Sequence, residues 1–246
     1  MSLQNRNSLK SFFKKGQLPS ESHFFDLIDS MTNKVDDGLS KTMEDGLMLS
    51  PIGGSRKLIS FYKSIEEKSP AWSLEINQGD GNLNINNHIG DSILTLANSG
   101  KVGVNNNNPA FELDVNGSVA MSGRIGNAYQ GKVLGDGKWH QILTDLNGCH
   151  ALEIVAGIGK KKTGRYALVH AFALSAFGKS KSKIDIRQAY YGVRSNRIEF
   201  RWTGTTYSFN LEMRTKNTYD GEFYIQYFIS KLWFDPFMDK SVGEVK

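Results

Sequence analysis

The sequence predicts a mainly β fold with one N-terminal helical segment. Three observations carry this reading. Apolar residues alternate with polar ones at a period of two from Gly46 onward, the strand signature. Glycine is abundant (25 residues) and proline scarce (5), which suits a turn-rich β chain. A helical period is confined to residues 18–43. With 39% hydrophobic and 22% charged residues among 246, the chain is neither a disordered tail nor a membrane protein. No apolar run approaches the roughly 18 residues of a spanning helix, so membrane insertion is not expected. The lone Cys149 excludes an intrachain disulfide framework and a cysteine-based zinc site.

The elements follow in order. Pro19-Ser20 opens the helix, with Ser20 as N-cap and Glu21 in the first turn. Phe24, Ile28, Met31, Val35 and Leu39 then form a narrow apolar stripe. So narrow a stripe on so short a helix wants a partner, and another copy of itself is the preferred one. Residues 57–63, 72–76, 83–86, 93–96 and 101–104 read as short strands separated by Asn and Gly. They are too short and polar to bury a core within one copy, and intertwining of several copies would solve that. The last 120 residues differ. Strands are read at 152–156, 198–202, 207–214 and 223–230, and the apolar run Tyr166 to Phe177 reads as a buried strand. Leu232-Trp233-Phe234 closes the domain. This part is long enough for its own core and is expected to be an antiparallel β-sandwich, jelly-roll-like.

Residues 101–126 carry a more specific pattern. Val102-Gly103-Val104, the turn Asn108-Pro109, Leu113-Asp114-Val115-Asn116-Gly117 and Val119-Ala120 follow one another. This resembles the shaft repeat of trimeric tail fibres and adhesins from phages and contractile injection systems. Asn-Pro forces a turn, and Leu113 and Val115 face one side. Gly117 would let chains approach closely around a threefold axis. Gly164 to Ala171 and Leu232 to Asp235 are also similar to the head of such fibres. The resemblance implies a homotrimer with four parts: an attachment segment (1–17), a helical trimerisation segment (18–45), a β-shaft (46–126) and a receptor-binding head (127–246). It implies Phe24, Ile28, Met31, Val35, Leu113 and Val115 in the trimer core. It also implies attachment through the N-terminus to the baseplate or tail of a larger particle. Residues 1–15 are polar and basic with no apolar signal region, so cytoplasmic assembly and extracellular action on a virion or injection-system particle are expected. No C-terminal chaperone of the kind many fibres carry is visible.

Charge is unevenly placed. Residues 1–123 carry 11 Lys and Arg against 14 Asp and Glu, whereas residues 124–246 carry 19 against 11. A basic C-terminal half suits an anionic partner such as an acidic polysaccharide or lipopolysaccharide, or else only keeps the domain soluble. No nucleic-acid-binding signature is present, and no nucleic-acid partner is expected. His23, His88, His140, His150 and His170 contain no pair at ligand spacing, so neither metal nor cofactor is expected. Gly157-Ile158-Gly159 before three lysines lacks Walker spacing and reads as a basic hairpin tip. There is no Gly-x-Ser-x-Gly elbow, and Cys149 and His150 point to opposite strand faces, leaving Cys149 as a buried free thiol. The chain is therefore expected not to be an enzyme, although convergent carboxylates for polysaccharide cleavage stay open.

Aromatic and basic residues concentrate in the head. Trp139, His140, Arg187, Tyr190, Tyr191 and Arg194 are the candidate ligand-binding set, with 188–194 read as turn-like. Sugars stack on Trp and Tyr, while Arg and His donate to hydroxyl or acidic groups. Trp202 alternates with Ile198 and Phe200 and reads as core. The expected function is a tail-fibre-like adhesin whose head binds a surface glycan. A fibre-borne depolymerase and a free soluble lectin are the alternatives.

Overall fold

The computed structural model describes residues 6–30, 37–64 and 66–243, and the chain is mainly β. It divides into two compact units, 1–120 and 121–246.

In the first unit two short helices precede the strands: α1 (Arg6–Phe12) and α2 (Glu21–Asp29). Ser20 sits at the N-cap of α2 in extended conformation, and its N–H donates to His23 Nδ1 at 3.1 Å. Phe12 stacks on His23 at 4.1 Å, and Phe13 meets Phe24 edge-on at 5.4 Å, which ties the helices together. Phe24 and Ile28 are about half exposed. Met31 and Val35 lie outside the described residues. The helical period read through Leu39 does not hold at its end, because Leu39 opens a hairpin of β1 (Leu39–Thr42) and β2 (Gly46–Leu49). Its turn needs Gly46 at φ +70° and is braced by Asp45 N–H donating to Thr42 Oγ1.

A six-stranded sheet follows in sequence order: β3 (Lys57–Phe61), β4 (Trp72–Ile76), β5 (Leu83–Asn87), β6 (Ser92–Leu96), β7 (Val102–Val104) and β8 (Leu113–Val115). Neighbours are antiparallel except β7 and β8, which run parallel across the Asn108-Pro109 loop. Register puts Leu74, Ile85, Leu94, Val104 and Val115 in one row, and Ile76, Leu83, Leu96, Val102 and Leu113 in the next. Alternation therefore gives this sheet one apolar face and one face of Ser73, Asn84, Asn86, Thr95 and Asp114. The polar face is the better covered. Ser73, Asn86, Thr95 and Gly103 are buried, and among the described residues of this unit no apolar side chain is.

The second unit is built the ordinary way round. Strands β9 (Tyr129–Leu134), β11 (Cys149–Gly159), β12 (Tyr166–Ala176), β13 (Lys183–Tyr191) and β16 (Tyr224–Lys231) form a sheet in the order β13-β12-β11-β16-β9. Strands β10 (His140–Leu146), β14 (Ile198–Gly204) and β15 (Phe209–Thr215) form a second in the order β10-β15-β14. Every pairing is antiparallel. The inward residues of both sheets share one core, in which Leu152, Ile154, Ala171, Ile198, Leu211, Met213, Ile225 and Ile229 are essentially inaccessible.

Four sequence expectations are corrected here. Residues 188–191 are not a turn but the end of β13, where Lys183, Asp185 and Arg187 alternate with Ile184 and Ile186. The apolar run from Tyr166 is a strand buried on one face only: Ala167, Val169, Ala171 and Ala173 are buried, whereas Leu168, Phe172 and Leu174 are exposed. Trp233 and Phe234 follow the last strand and are exposed rather than closing the core. Cys149 is free but only half-buried. Trp202 does pack against the core, with its ring 5.7 Å from that of Phe209.

The core makes a direct forecast. Ile154→Ala removes a fully buried side chain between the sheets, and should lower the stability of the second unit by about 2–5 kcal/mol in a urea titration followed by tryptophan fluorescence.

Candidate functional site

Strand direction in the second unit gathers four connections at one end. Register places the end of β9, the start of β10, the end of β11, the start of β12, the end of β13, the start of β14, the end of β15 and the start of β16 together. The connecting loops are 135–139, 160–165, 192–197 and 216–223. They carry the cations Lys138, Lys160, Lys161, Lys162, Arg165, Arg194, Arg197 and Lys216 against only Asp136, Asp220 and Glu222. Such an end carries a positive potential, because exposed cations outnumber acids over a small area.

Three of the four loops are bolted to one another by polar side chains. Tyr219 is 2% exposed and donates its hydroxyl to Asn196 O at 2.7 Å. Asn196, itself 1% exposed, donates from Nδ2 to Tyr191 O at 2.7 Å and accepts from Arg165 Nε at 3.4 Å. Arg165 continues to Thr218 O at 2.6 Å and to Asp220 at 3.0 Å, and its guanidinium lies over the Tyr219 ring. Burial pushes the Tyr219 hydroxyl pKa upward while the Arg165 charge pulls it down, and burial prevails. Gly192 is required at its place, with φ +91° and room for no Cβ, which would lie 2.8 Å from Gly164 O. The loop tips around this brace are exposed, as binding loops on a rigid framework are.

The fourth loop, 135–139, crosses between the two sheets as 216–223 does, and the two are joined. Tyr219 N–H donates to Gly135 O at 2.7 Å, and Gly137 N–H to Thr215 Oγ1 at 3.2 Å. Here Asp136 Oδ1 lies 2.8 Å from His140 Nε2. Burial pushes the Asp136 carboxyl up, but the His140 hydrogen bond, the Lys138 N–H and the His140 charge outweigh it and hold the group below its ordinary 3.8. The Trp139 ring carries the guanidiniums of Arg201 and Arg214 at 4.2 and 4.4 Å. Each guanidinium is also paired across the ladder, Arg201 with Glu212 at 2.7 Å and Arg214 with Glu199 at 2.8 Å.

The expected binding residues thus fall into three groups. Tyr190, Tyr191 and Arg194 border one side of the loop end, Tyr190 and Tyr191 leaving opposite faces of β13. Trp139 and His140 border the other side, but the Trp139 ring is already engaged by two arginines. Arg187 lies further along β13, opposite His170. Sequence reading missed the bracing roles of Arg165 and Asn196. An Asn between two arginines, Arg194 and Arg197, looks like surface, and only contact with Tyr219 reveals that it is core.

Two outcomes follow. Asn196→Ala removes two side-chain contacts at a buried site, a loss of about 1–3 kcal/mol; hydrogen exchange should accelerate in 192–197 and 216–222 while β11 and β12 stay protected. The lowered Asp136 pKa contributes stability that is complete above its unfolded value of about 4 and is lost as pH falls through the lower folded value. His140→Ala should therefore raise the Asp136 pKa in an NMR titration and flatten that part of the acid-stability curve.

No protein-family model matches the chain, and no curated protein matches it. Among solved structures it is similar to the crystal structure of the Acinetobacter phage vB_ApiP_P1 tailspike protein, with 10% identity and a TM-score of 0.30 over 46% of this chain. The matched region spans 24% of that tailspike's length.

Proposed function

We propose that the chain is the protomer of a homotrimeric, tail-fibre-like adhesin whose C-terminal unit binds a cell-surface glycan bearing acidic groups. The observation that supports assembly is the uncovered apolar face of the six-stranded sheet. A single chain leaves Phe61, Trp72, Leu96 and Leu113 each at least two-fifths exposed on that face, while its polar face is the covered one. At roughly 25 cal/mol per Å² of apolar surface, leaving such a face in water forfeits most of what the sheet could contribute to stability. Covering layers from other copies would recover it, and the shaft-repeat resemblance of residues 101–126 supports three of them.

The braced basic loop end supports the receptor reading. Tyr190, Tyr191 and Arg194 would supply stacking and charged donors, with Lys160, Lys161 and Lys162 adding attraction at longer range. Three heads on one particle-bound fibre then convert a weak single site into firm attachment. Residues 1–17 would hold the fibre to a baseplate or tail, and the head would act without cleaving its receptor.

Light scattering on the full chain should give a mass near three times 27.4 kDa. Arg194→Ala combined with Lys161→Ala should weaken binding to an acidic glycan surface at least tenfold and flatten its salt dependence, with neutral glycans unaffected. A monomeric full chain overturns the assembly reading. Unchanged binding by the double variant overturns the site, and shortening of the polymer on incubation would make the protein a depolymerase.

A further inference from the structure

The two sheets of the second unit present opposite kinds of surface to the outside. The three-stranded sheet shows ion-paired Glu199, Arg201, Glu212 and Arg214, a face suited to water. The five-stranded sheet shows Tyr166, Leu168 and Phe172 of β12, flanked by Val155, Tyr191 and Tyr224, each between 39% and 65% exposed. Taking about 200 Å² for a whole aromatic side chain and less for Leu168 and Val155, these six leave roughly 500 Å² of largely apolar surface in water. That is within the ~300–600 Å² of the largest patch on an ordinary monomer, and about six-tenths of the ~800 Å² that each side of a standard interface contributes.

From this face we infer a second self-association surface: the outer side of the β13-β12-β11-β16-β9 sheet docks onto another copy of the same unit. The inference rests on the assembly reading above but locates a contact independent of residues 1–120. Three features of the face select a copy of this chain as the occupant. It carries both a projection and a recess, since Leu168 projects (60% exposed) between Gly157 and Ala189, its register partners, from the lining of a trough of about 710 Å³ also bordered by Tyr166, Tyr191, Tyr224 and Phe228. A projection on one copy can enter the recess of the next around a closed ring. Its one buried acid among the described residues is paired within the chain: Glu153 takes Arg124 at 2.6 Å and His170 at 2.9 Å, so that carboxylate demands no charge from the occupant. Finally, Lys183, Asp185 and Arg187 stand on the outer side of the β13 edge, opposite Leu174, Phe172 and His170, and form a charged border that discourages edge-to-edge strand addition.

The test uses residues 121–246, which contain every buried apolar side chain among the described residues, alongside the full chain. Sedimentation equilibrium should show the 121–246 fragment self-associating. Leu168→Glu should weaken that association on the order of 100-fold, because the interface would then bury an unpaired carboxylate. Leu168→Lys should do the same, while the near-UV circular dichroism of both variants stays that of the wild type. A fragment that is monomeric at all attainable concentrations while the full chain assembles overturns this inference and leaves the assembly reading standing. Association that survives both variants also overturns it. A monomeric full chain overturns both. A monomeric fragment that binds neutral phospholipid vesicles, with Leu168→Glu abolishing that binding, would show that the occupant is a lipid surface and overturn the inference.

Discussion

A β-sheet satisfies its backbone through its ladders but leaves two faces to be covered, and in this chain the supply of covering layers runs short. The second unit covers the inner faces of its two sheets with each other, and that single act creates its core. Among the described residues, the six-stranded sheet of the first unit has no such companion. Its loops fold over the polar side, where Thr95 lies within reach of Ser92 and Asn107, and its apolar side stays open. Hydrophobic burial is the largest favourable contribution to folding, so a sheet with one apolar side open forfeits part of its largest stabilising term. The assembly proposed above would cover that side.

The same constraint explains where polarity is placed. Outside the three-stranded sheet, carboxylates and guanidiniums pair across the ladder, with the Trp139 ring held against the two guanidiniums. Individually such pairs contribute little, but as a layer they make the surface compatible with water. At the loop end the polar groups do different work. Tyr219, Asn196 and Arg165 replace an apolar core that short loops cannot supply, and their hydrogen bonds hold a basic rim in a fixed shape. Fixing that shape beforehand lowers the ordering cost of binding.

Much of the framework was legible in the sequence because period-two alternation is a local signal. The strands around Leu74, Ile85, Leu94, Ile154, Phe200 and Leu211 could be read directly, as could the N-cap at Ser20. Strand β13 was not read, although Ile184 and Ile186 alternate there with charged residues, because the aromatic and basic density of residues 188–194 resembles a turn. The apolar run from Tyr166 read as fully buried because every position is acceptable inside. The single chain covers only the face of Ala167, Val169 and Ala171. The brace of the loop end was not legible, since Arg165, Asn196 and Tyr219 are widely separated in sequence and only strand direction brings them together. Trp139 was legible as an exposed-looking aromatic but not as the platform of two arginines, because that contact depends on the register of β14 with β15.

The brace has an evolutionary consequence. Loops at the end of a sandwich are usually free to vary one at a time, since each merely joins two strands. Here Tyr219 on one loop closes on the backbone of Asn196 on another, and Arg165 on a third touches both. A change in any of the three loops is therefore felt by the other two. The exposed tips, Lys160 to Lys162 and Arg194, would drift freely in descendants of this chain. The 160–165, 192–197 and 216–223 segments would recombine successfully only as an inherited set.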